Sequence, residues 1–178
     1  AIADRIKEEE MKKSVDEDFR KKIQSKMFQP KGETDLETLL NVSILGPIGM
    51  PEEEAIYPQI QTADGQPMNA MNDYIIRMSA EELPPARAFW SITLYDLENG
   101  FFIPNDLKKY SVGENAGMKL NDAGGIEIYI ASEKPEGVPE ENWLPIERKD
   151  ISLSPTLRIY QADLDAMKTW TVPFAKKL

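Results

Sequence analysis

The chain has 178 residues, which suits one domain whose core buries roughly 70% of the surface that the unfolded chain would expose. Its formal net charge of −10 would repel a phosphate backbone, and the sequence lacks a basic stripe interleaved with aromatic residues, so nucleic acid is not an expected partner. Cys and His are both absent, which excludes disulfides, thiolate and imidazole metal sites, and Cys or Ser-His-Asp catalysis.

The same composition limits the expected chemistry and location. Only carboxylate, Lys, Tyr or Ser-Lys chemistry remains for an enzyme, and we expect no cofactor and no metal site. The sequence predicts a soluble chain, because no apolar run approaches the roughly 20 residues that span a bilayer. The first residue is Ala rather than Met, which leaves two locations open: periplasmic or secreted if an upstream signal was removed, and cytoplasmic otherwise.

The N-terminal region is dense in charged residues and carries a helical apolar pattern. Across residues 3–27 the apolar side chains recur four positions apart, at Met11, Val15, Phe19, Ile23 and Met27. This spacing predicts a helix whose narrow apolar stripe packs on its own domain, on an upstream domain or on the partner subunit of a homo-oligomer. A membrane-surface helix is the weaker alternative, since acidic residues accompany the basic ones.

A second, shorter helix and a break follow along the chain. Thr34 and Asp35 supply capping side chains for a helix that continues through Leu39 and Leu40. A run rich in Gly and Pro then interrupts the chain between residues 46 and 51. We therefore predict a helical N-terminal arm over residues 1–46 and a β-sandwich domain over residues 47–178.

Beyond this break the apolar period changes to two, which is the period of a strand. After an expected helical turn at residues 52–57, alternation predicts four strands over residues 73–78, 89–96, 126–130 and 156–160. Together they predict a mainly β fold, an antiparallel β-sandwich preceded by N-terminal helices. The residues expected to face its core are Tyr74, Ile76, Met78, Trp90, Ile92, Leu94, Ile126, Ile128, Ile130, Leu157 and Ile159.

The second of these strands lies in a distinctive segment. Residues 84–96 read Pro-Pro-Ala-Arg-Ala-Phe-Trp-Ser-Ile-Thr-Leu-Tyr-Asp, and collinear motifs include Asp64-Gly65 before it and Asn142-Trp143-Leu144-Pro145 after it. By these motifs the chain resembles, from about residue 48 to 173, the bacterial family known as domain of unknown function 1214 (DUF1214). The resemblance implies a jelly-roll-like β-sandwich and a place behind a second domain, domain of unknown function 1254. It implies no catalytic residues.

Strand alternation also predicts a polar aromatic face opposite the core. The side chains that it sends outward are Arg77, Thr93, Tyr95, Glu127, Tyr129, Arg158 and Tyr160. Such a face could stack on a sugar or another flat ligand and hydrogen-bond its hydroxyl groups. Two structural alternatives are open. Glu127 and Arg158 could form an ordinary cross-strand ion pair, or another element could cover the face and turn it into core.

Polar residues at the predicted strand ends form a second candidate site. They are Asp96, Asn105, Tyr110, Asn142 and Trp143. The structural alternative is that the Asn and Asp side chains build turns and that Trp143 plugs one end of the fold. Paired carboxylates, such as Asp96 and Glu127, could act as acid and base in an enzyme.

Three functions are therefore compatible with the sequence. The leading hypothesis is a non-catalytic module that binds a small molecule, a glycan or a protein partner through the polar aromatic face or the loops. The first alternative is a hydrolase-like enzyme that uses carboxylate and Tyr side chains. The second is an assembly domain joined through the N-terminal helix.

Overall fold

The computed structural model describes residues 29–30, 32–39 and 51–178, and the chain divides after Ile56 into two units. In the first unit residues 36–39 are helical, and the Asp35 carboxylate accepts a hydrogen bond of 2.8 Å from the Thr38 amide, as predicted for a capping residue. The predicted helix over residues 3–27 lies outside the described residues. Residues 52–54 form a turn, and β1 (Ala55–Ile56) follows it, so the helical turn expected at residues 52–57 is wrong.

The second unit, Tyr57–Leu178, is mainly β. Its strands are β2 (Tyr74–Met78), β3 (Ala86–Asp96), β4 (Ser111–Gly113), β5 (Ile126–Ala131), β6 (Trp143–Pro145), β7 (Leu153–Ala162) and β8 (Ala175–Lys177). Two 3-10 turns, Glu114–Ala116 and Glu140–Asn142, and one short helix, α1 (Leu164–Met167), complete it. None of the helices in the described ranges is long and apolar enough to cross a membrane.

The strands of this unit form two sheets. In one sheet β3 lies between β7 and β4, and both pairings are antiparallel. In the other sheet the order is β6-β5-β2-β8, and only the pairing of β5 with β6 is parallel. The mainly β prediction is confirmed, whereas a wholly antiparallel fold is not. The loop over residues 132–142 separates β5 from β6 and is long enough to return the chain for a parallel pairing.

The core consists of the residues that strand alternation assigned to it. All eleven predicted core residues are at most 2% exposed, and they come from both sheets. Ile75 lies between two of these core residues in β2, where alternation alone would place it on the opposite face, and it is nevertheless 1% exposed. It lines a cleft with Trp170 and Val172, so the chain after α1 covers this part of β2. β2 is therefore buried on both of its faces except at Arg77, which stays exposed.

Candidate functional site

A cleft of about 550 Å³ lies on the outer face of β3 and β7, and we call it the β3–β7 cleft. The two strands are in register, so that Phe89 lies opposite Tyr160, Ser91 opposite Arg158 and Tyr95 opposite Ser154. Alternate residues of each strand therefore point into the same space. The cleft is lined by Phe89, Ser91, Thr93, Tyr95, Phe102, Lys108, Lys109, Tyr110, Ser111, Asn115, Ala116, Arg158 and Tyr160.

Aromatic rings in contact with one another form much of this lining. Phe89 stacks on Tyr160 with ring centroids 4.4 Å apart. Phe102 stacks on two rings, at 5.3 Å from Tyr95 and 4.8 Å from Tyr110. Ring pairs at these separations contribute about 0.5–1.5 kcal/mol beyond the area that they bury, so these contacts favour the observed arrangement of the lining.

Arg158 lies between the two groups of rings. Its guanidinium carbon is 5.4 Å from the ring centroid of Tyr57 and 5.2 Å from that of Tyr95. Nη2 donates a hydrogen bond of 2.5 Å to the Tyr95 hydroxyl. Nη1, in contrast, is buried and has no hydrogen-bond partner among the described residues. An unsatisfied buried donor costs about 1–3 kcal/mol, and more when it belongs to a charged group, so this atom requires an explanation.

Arg158 also differs from the other arginines in the described part of the chain. Arg77, Arg87 and Arg148 each form an ion pair with a carboxylate, at N–O distances of 2.7, 3.1 and 2.5 Å. Arg158 forms none with any carboxylate of the described residues; its charge is held by two aromatic rings and one hydroxyl. Rings stabilise a guanidinium by about 0.5–2 kcal/mol but do not neutralise it.

The loop between β3 and β4 adds two further cations to the cleft. The side chain of Asn105 holds this loop, because it donates to the carbonyl oxygens of Ile103 and Lys109 and accepts from the Lys109 amide, at 3.1, 2.8 and 3.0 Å. Lys108 has a positive φ of 50°, which is uncommon for a residue with a side chain. Burial lowers the pKa of Lys109, whose ammonium group donates to the carbonyl oxygen of Glu140.

The floor of the cleft is polar and tightly packed against β4. Ser91 and Thr93 are each only 7% exposed, although both face away from the core. Gly113 lies opposite Ser91, and a Cβ atom at this position would be 2.6 Å from the Trp90 carbonyl oxygen. β4 can therefore pair this closely with β3 only because residue 113 is Gly.

The predicted outward residues separate into two groups, one on each sheet. Thr93, Tyr95, Arg158 and Tyr160 line the β3–β7 cleft. Arg77, Glu127 and Tyr129 lie on β2 and β5 in the other sheet. The seven residues thus do not form one surface, and the ion pair considered between Glu127 and Arg158 is wrong, because Glu127 pairs with Arg77 at 2.7 Å.

The group on the second sheet forms a local network at the protein surface. Arg77 Nε donates to Glu127 Oε1, and the Tyr129 hydroxyl donates to Oε2 at 2.9 Å. The hydrogen bond from Arg77 is the main reason that the pKa of Glu127 lies below its ordinary value, and burial raises the pKa of Tyr129. Arg77 also lines a second cleft, of about 590 Å³, with Trp170, Phe174 and Lys176.

The five predicted loop residues also have different surroundings. Tyr110 lines the β3–β7 cleft and Asn105 holds its loop. The Asp96 carboxylate accepts hydrogen bonds from the Asn99 side chain and from the Glu98 amide, which lower its pKa. The Asn142 side chain bonds both backbone groups of Lys119, and Trp143 Nε1 donates to the Ala131 carbonyl oxygen. The last three are thus engaged in turns and in packing.

The carboxylates give little support to acid–base chemistry. Asp96 ends β3 in one sheet, while Glu127 lies in β5 of the other sheet. Within the described ranges there is no group of three or more acidic residues that could hold a metal ion. The lining of the β3–β7 cleft contains no Asp or Glu.

Sequence alternation alone did not select several residues of the cleft. Phe89 and Ser91 share the strand parity of Thr93 and Tyr95, so the same rule could have included them. Alternation within β3 does not predict where loop side chains point, and a loop brings Phe102, Lys108 and Lys109 to the cleft.

The chain is similar to known proteins over most of its length. A family model described as "Protein of unknown function (DUF1214)" matches residues 54–164. No curated protein matches the chain. The crystal structure of the VPA0106 protein from Vibrio parahaemolyticus is 28% identical, with a TM-score of 0.65, over 83% of this chain and 36% of that chain.

A second solved structure, of an uncharacterized protein from Burkholderia cenocepacia, is 15% identical with a TM-score of 0.49, over 76% of this chain and 32% of that one. The chain thus spans about a third of the length of these two solved proteins. Because the family model matches more than half of the sequence, the chain belongs to the DUF1214 family of proteins of unknown function.

Proposed function

We propose that this domain is a non-catalytic binding module that takes a small molecule with a flat ring in the β3–β7 cleft. The observation that carries the proposal is the lining of stacked aromatic rings beside a polar floor. A cleft of about 550 Å³ lies within the range of about 300–1,000 Å³ that is typical of small-molecule sites. For the fold of the whole chain we also propose that the two sheets have a jelly-roll-like connectivity and that residues 1–46 form a helical arm.

The arrangement of the rings favours a planar ligand. Phe102 is 48% exposed although it stacks on both Tyr95 and Tyr110, so this aromatic surface remains accessible. A flat ring placed on it would bury apolar area on both partners. The hydroxyl groups of Ser91, Thr93 and Ser111 would be available to the polar groups of the same ligand, and a sugar ring meets these requirements as well as an aromatic one.

The chemistry of the lining favours binding over catalysis. An enzyme without His or Cys would rely on carboxylate, Lys, Tyr or Ser-Lys chemistry, and no carboxylate of the described residues lines the cleft. Lys109, the half-buried lysine, is engaged with the Glu140 carbonyl oxygen. The cleft can therefore hold a ligand but offers it no general base of the carboxylate type.

A fragment titration tests this proposal. The panel contains phenol, indole, benzamide, benzoate and methyl glucoside, and binding is measured by melting temperature and by amide chemical shifts. At least one compound should raise the melting temperature and shift the resonances of β3 and β7. If none does so, or if all shifts map to the other sheet, the proposal is wrong.

Two matched Phe variants give this titration its control. Phe102→Ala removes a ring of the β3–β7 cleft that is 48% exposed, and Phe174→Ala removes a ring of the second cleft that is 55% exposed. Phe102→Ala also removes two ring contacts worth about 0.5–1.5 kcal/mol each, so a melting curve of each variant accompanies its titration. Only Phe102→Ala should weaken binding, by about three- to tenfold, as expected for the loss of one stacking partner.

A further inference from the structure

We infer that the ligand of the β3–β7 cleft is a carboxylate, and that its carboxylate group binds the guanidinium of Arg158. This inference rests on the proposed function, since it concerns the same cleft, and it adds the chemical class of the ligand. Its starting point is the unpartnered Nη1 of Arg158. Two further observations, the charge of the lining and the geometry of the arginine, indicate the same chemical class of ligand.

The charge of the lining selects an anion. Three cationic side chains, those of Lys108, Lys109 and Arg158, line the cleft, and none of its lining residues is acidic. The whole chain carries a formal net charge of −10, so this is a local reversal of sign. Positive charges gathered in a cleft raise the local concentration of anionic ligands.

The environment of Arg158 leaves donors for a ligand. Each Nη atom carries two N–H groups, and the hydrogen bond to the Tyr95 hydroxyl uses one of those on Nη2. Nη1 donates to none of the described residues. Two N–H groups on Nη1 and one on Nη2 therefore remain, and one from each atom can bind the two oxygens of a carboxylate in the bidentate arrangement that guanidinium and carboxylate groups prefer.

A carboxylate fits this site better than a phosphate does. Phosphate groups are commonly held by free backbone amides at loops or helix N-termini. The floor of this cleft is a β-sheet, in which β3 pairs with a strand on each side and uses its amides in those pairings. The donors that this floor presents to the cleft are therefore side chains, with the planar guanidinium of Arg158 among them.

Binding requires a small movement, because Nη1 is covered in this structure. The rings of Tyr57 and Tyr95 lie within 5.4 and 5.2 Å of the guanidinium carbon, so a change of side-chain conformation in this cluster would open the site. Side-chain changes of this kind are common when ligands bind. The carboxylate would then satisfy a buried cationic donor that otherwise has no partner.

Four small probes test the inference: benzoate, its neutral analogue benzamide, phenyl phosphate and phenol. Dissociation constants are measured at low ionic strength by calorimetry or by NMR titration. For the wild-type chain we expect benzoate to bind at least about tenfold more tightly than benzamide and phenol, as one charge-assisted bidentate contact implies. Phenyl phosphate should bind more weakly than benzoate.

Variants then assign the preference to a residue. Arg158→Gln should remove the preference for benzoate over benzamide, and Arg158→Lys should restore only part of it, because an ammonium lacks the planar fork. Arg77→Gln is the matched control, since Arg77 lines the second cleft; it should leave all four affinities unchanged. Melting curves of each variant show whether it is folded.

A second variant keeps the test decisive if Arg158 variants do not fold. Lys108 is exposed, so its substitution should not disturb the fold. Lys108→Gln should weaken the binding of benzoate about two- to threefold at low salt, and less at high salt. It should leave the binding of benzamide unchanged. Equal binding of benzoate and benzamide to the wild-type chain overturns the carboxylate inference but leaves the cleft as a ring-binding site. Tighter binding of phenyl phosphate overturns it in favour of phosphate. No binding of any of the four probes overturns the inference, and it overturns the proposed function as well if indole and methyl glucoside also fail to bind.

Discussion

Arg158 on β7 donates a hydrogen bond of 2.5 Å to the hydroxyl of Tyr95 on β3, across 63 positions of sequence. Ser91, not Tyr95, is the residue directly opposite Arg158 in the register, so this contact runs diagonally across the sheet. It links the arginine to the stack formed by Tyr95, Phe102 and Tyr110. The charge and the rings of the cleft are therefore parts of one contact network.

The Tyr95 hydroxyl should contribute to stability as well as to ligand binding. Tyr95→Phe keeps the ring but removes the acceptor for Arg158, and we expect it to lower the unfolding free energy by about 1–2 kcal/mol in urea unfolding. Tyr110→Phe is the control, since the Tyr110 hydroxyl bonds to none of the described residues; it should change the unfolding free energy by less than about 0.5 kcal/mol. Equal effects of the two variants would show that the Arg158–Tyr95 bond contributes nothing.

Gly113 should be required for the close pairing of β4 with β3. A Cβ atom there would be 2.6 Å from both the Trp90 carbonyl oxygen and Ser91 Cβ, so Gly113→Ala should destabilise the domain by about 1–3 kcal/mol or more. Ser111→Ala, two positions earlier on the same strand, adds no atom and serves as the comparison in the same denaturant series. An unchanged unfolding midpoint for Gly113→Ala would contradict the tight pairing.

Asn142 should act in stability rather than in binding. Its side chain is 4% exposed and bonds the amide and the carbonyl oxygen of Lys119, at 2.8 Å each. Asn142→Ala leaves both backbone groups without these partners and should cost about 2–4 kcal/mol. Asn99→Ala, which removes one exposed hydrogen bond to Asp96, should cost less than about 0.5 kcal/mol. Loss of benzoate binding by Asn142→Ala at unchanged stability would instead make Asn142 a site residue.

The network on the second sheet should give a pH-dependent contribution to stability. The Glu127 carboxylate has a pKa below its ordinary value of 4.5, mainly because Arg77 donates to it. A lowered pKa in the folded state stabilises the fold above pH 4.5, and this contribution disappears as the pH falls through the folded-state pKa. Arg77→Ala should raise the pKa of Glu127 in a carboxyl NMR titration and should remove part of that dependence.

Arg87→Ala is the control for this titration. Arg87 pairs with Asp163 at 3.1 Å and does not contact Glu127. The Arg87→Ala variant should therefore not change the pKa of Glu127. A Glu127 pKa that does not respond to Arg77→Ala would mean that the ion pair does not form in solution.

Strand alternation predicted the core and part of the cleft because both depend on local parity. In β3 and β7, each residue that faces the core is followed by one that faces away, so Trp90 and Ile159 indicated where Thr93 and Arg158 would point. Parity does not say which strands share a sheet. For this reason Arg77 and Arg158 were placed on one predicted face, although their strands belong to different sheets.

The remaining features depend on contacts that have no periodic signal. β4, β6 and β8 contain three residues each, too few for an alternation to be recognised. The loop that brings Lys108 and Lys109 to the cleft is shaped by hydrogen bonds of Asn105 to nearby backbone groups. An Asn in a loop is compatible with many conformations, so its role could not be read from its type.

A crystal structure of the chain with benzoate would show whether Arg158 in the β3–β7 cleft binds a carboxylate, as we claim. We predict both carboxylate oxygens at about 2.7–2.9 Å from Nη1 and Nη2 of Arg158, with the benzoate ring against the aromatic lining. Benzoate bound beside Arg77 in the second cleft, or bound in the β3–β7 cleft with its carboxylate turned away from Arg158, would contradict the claim.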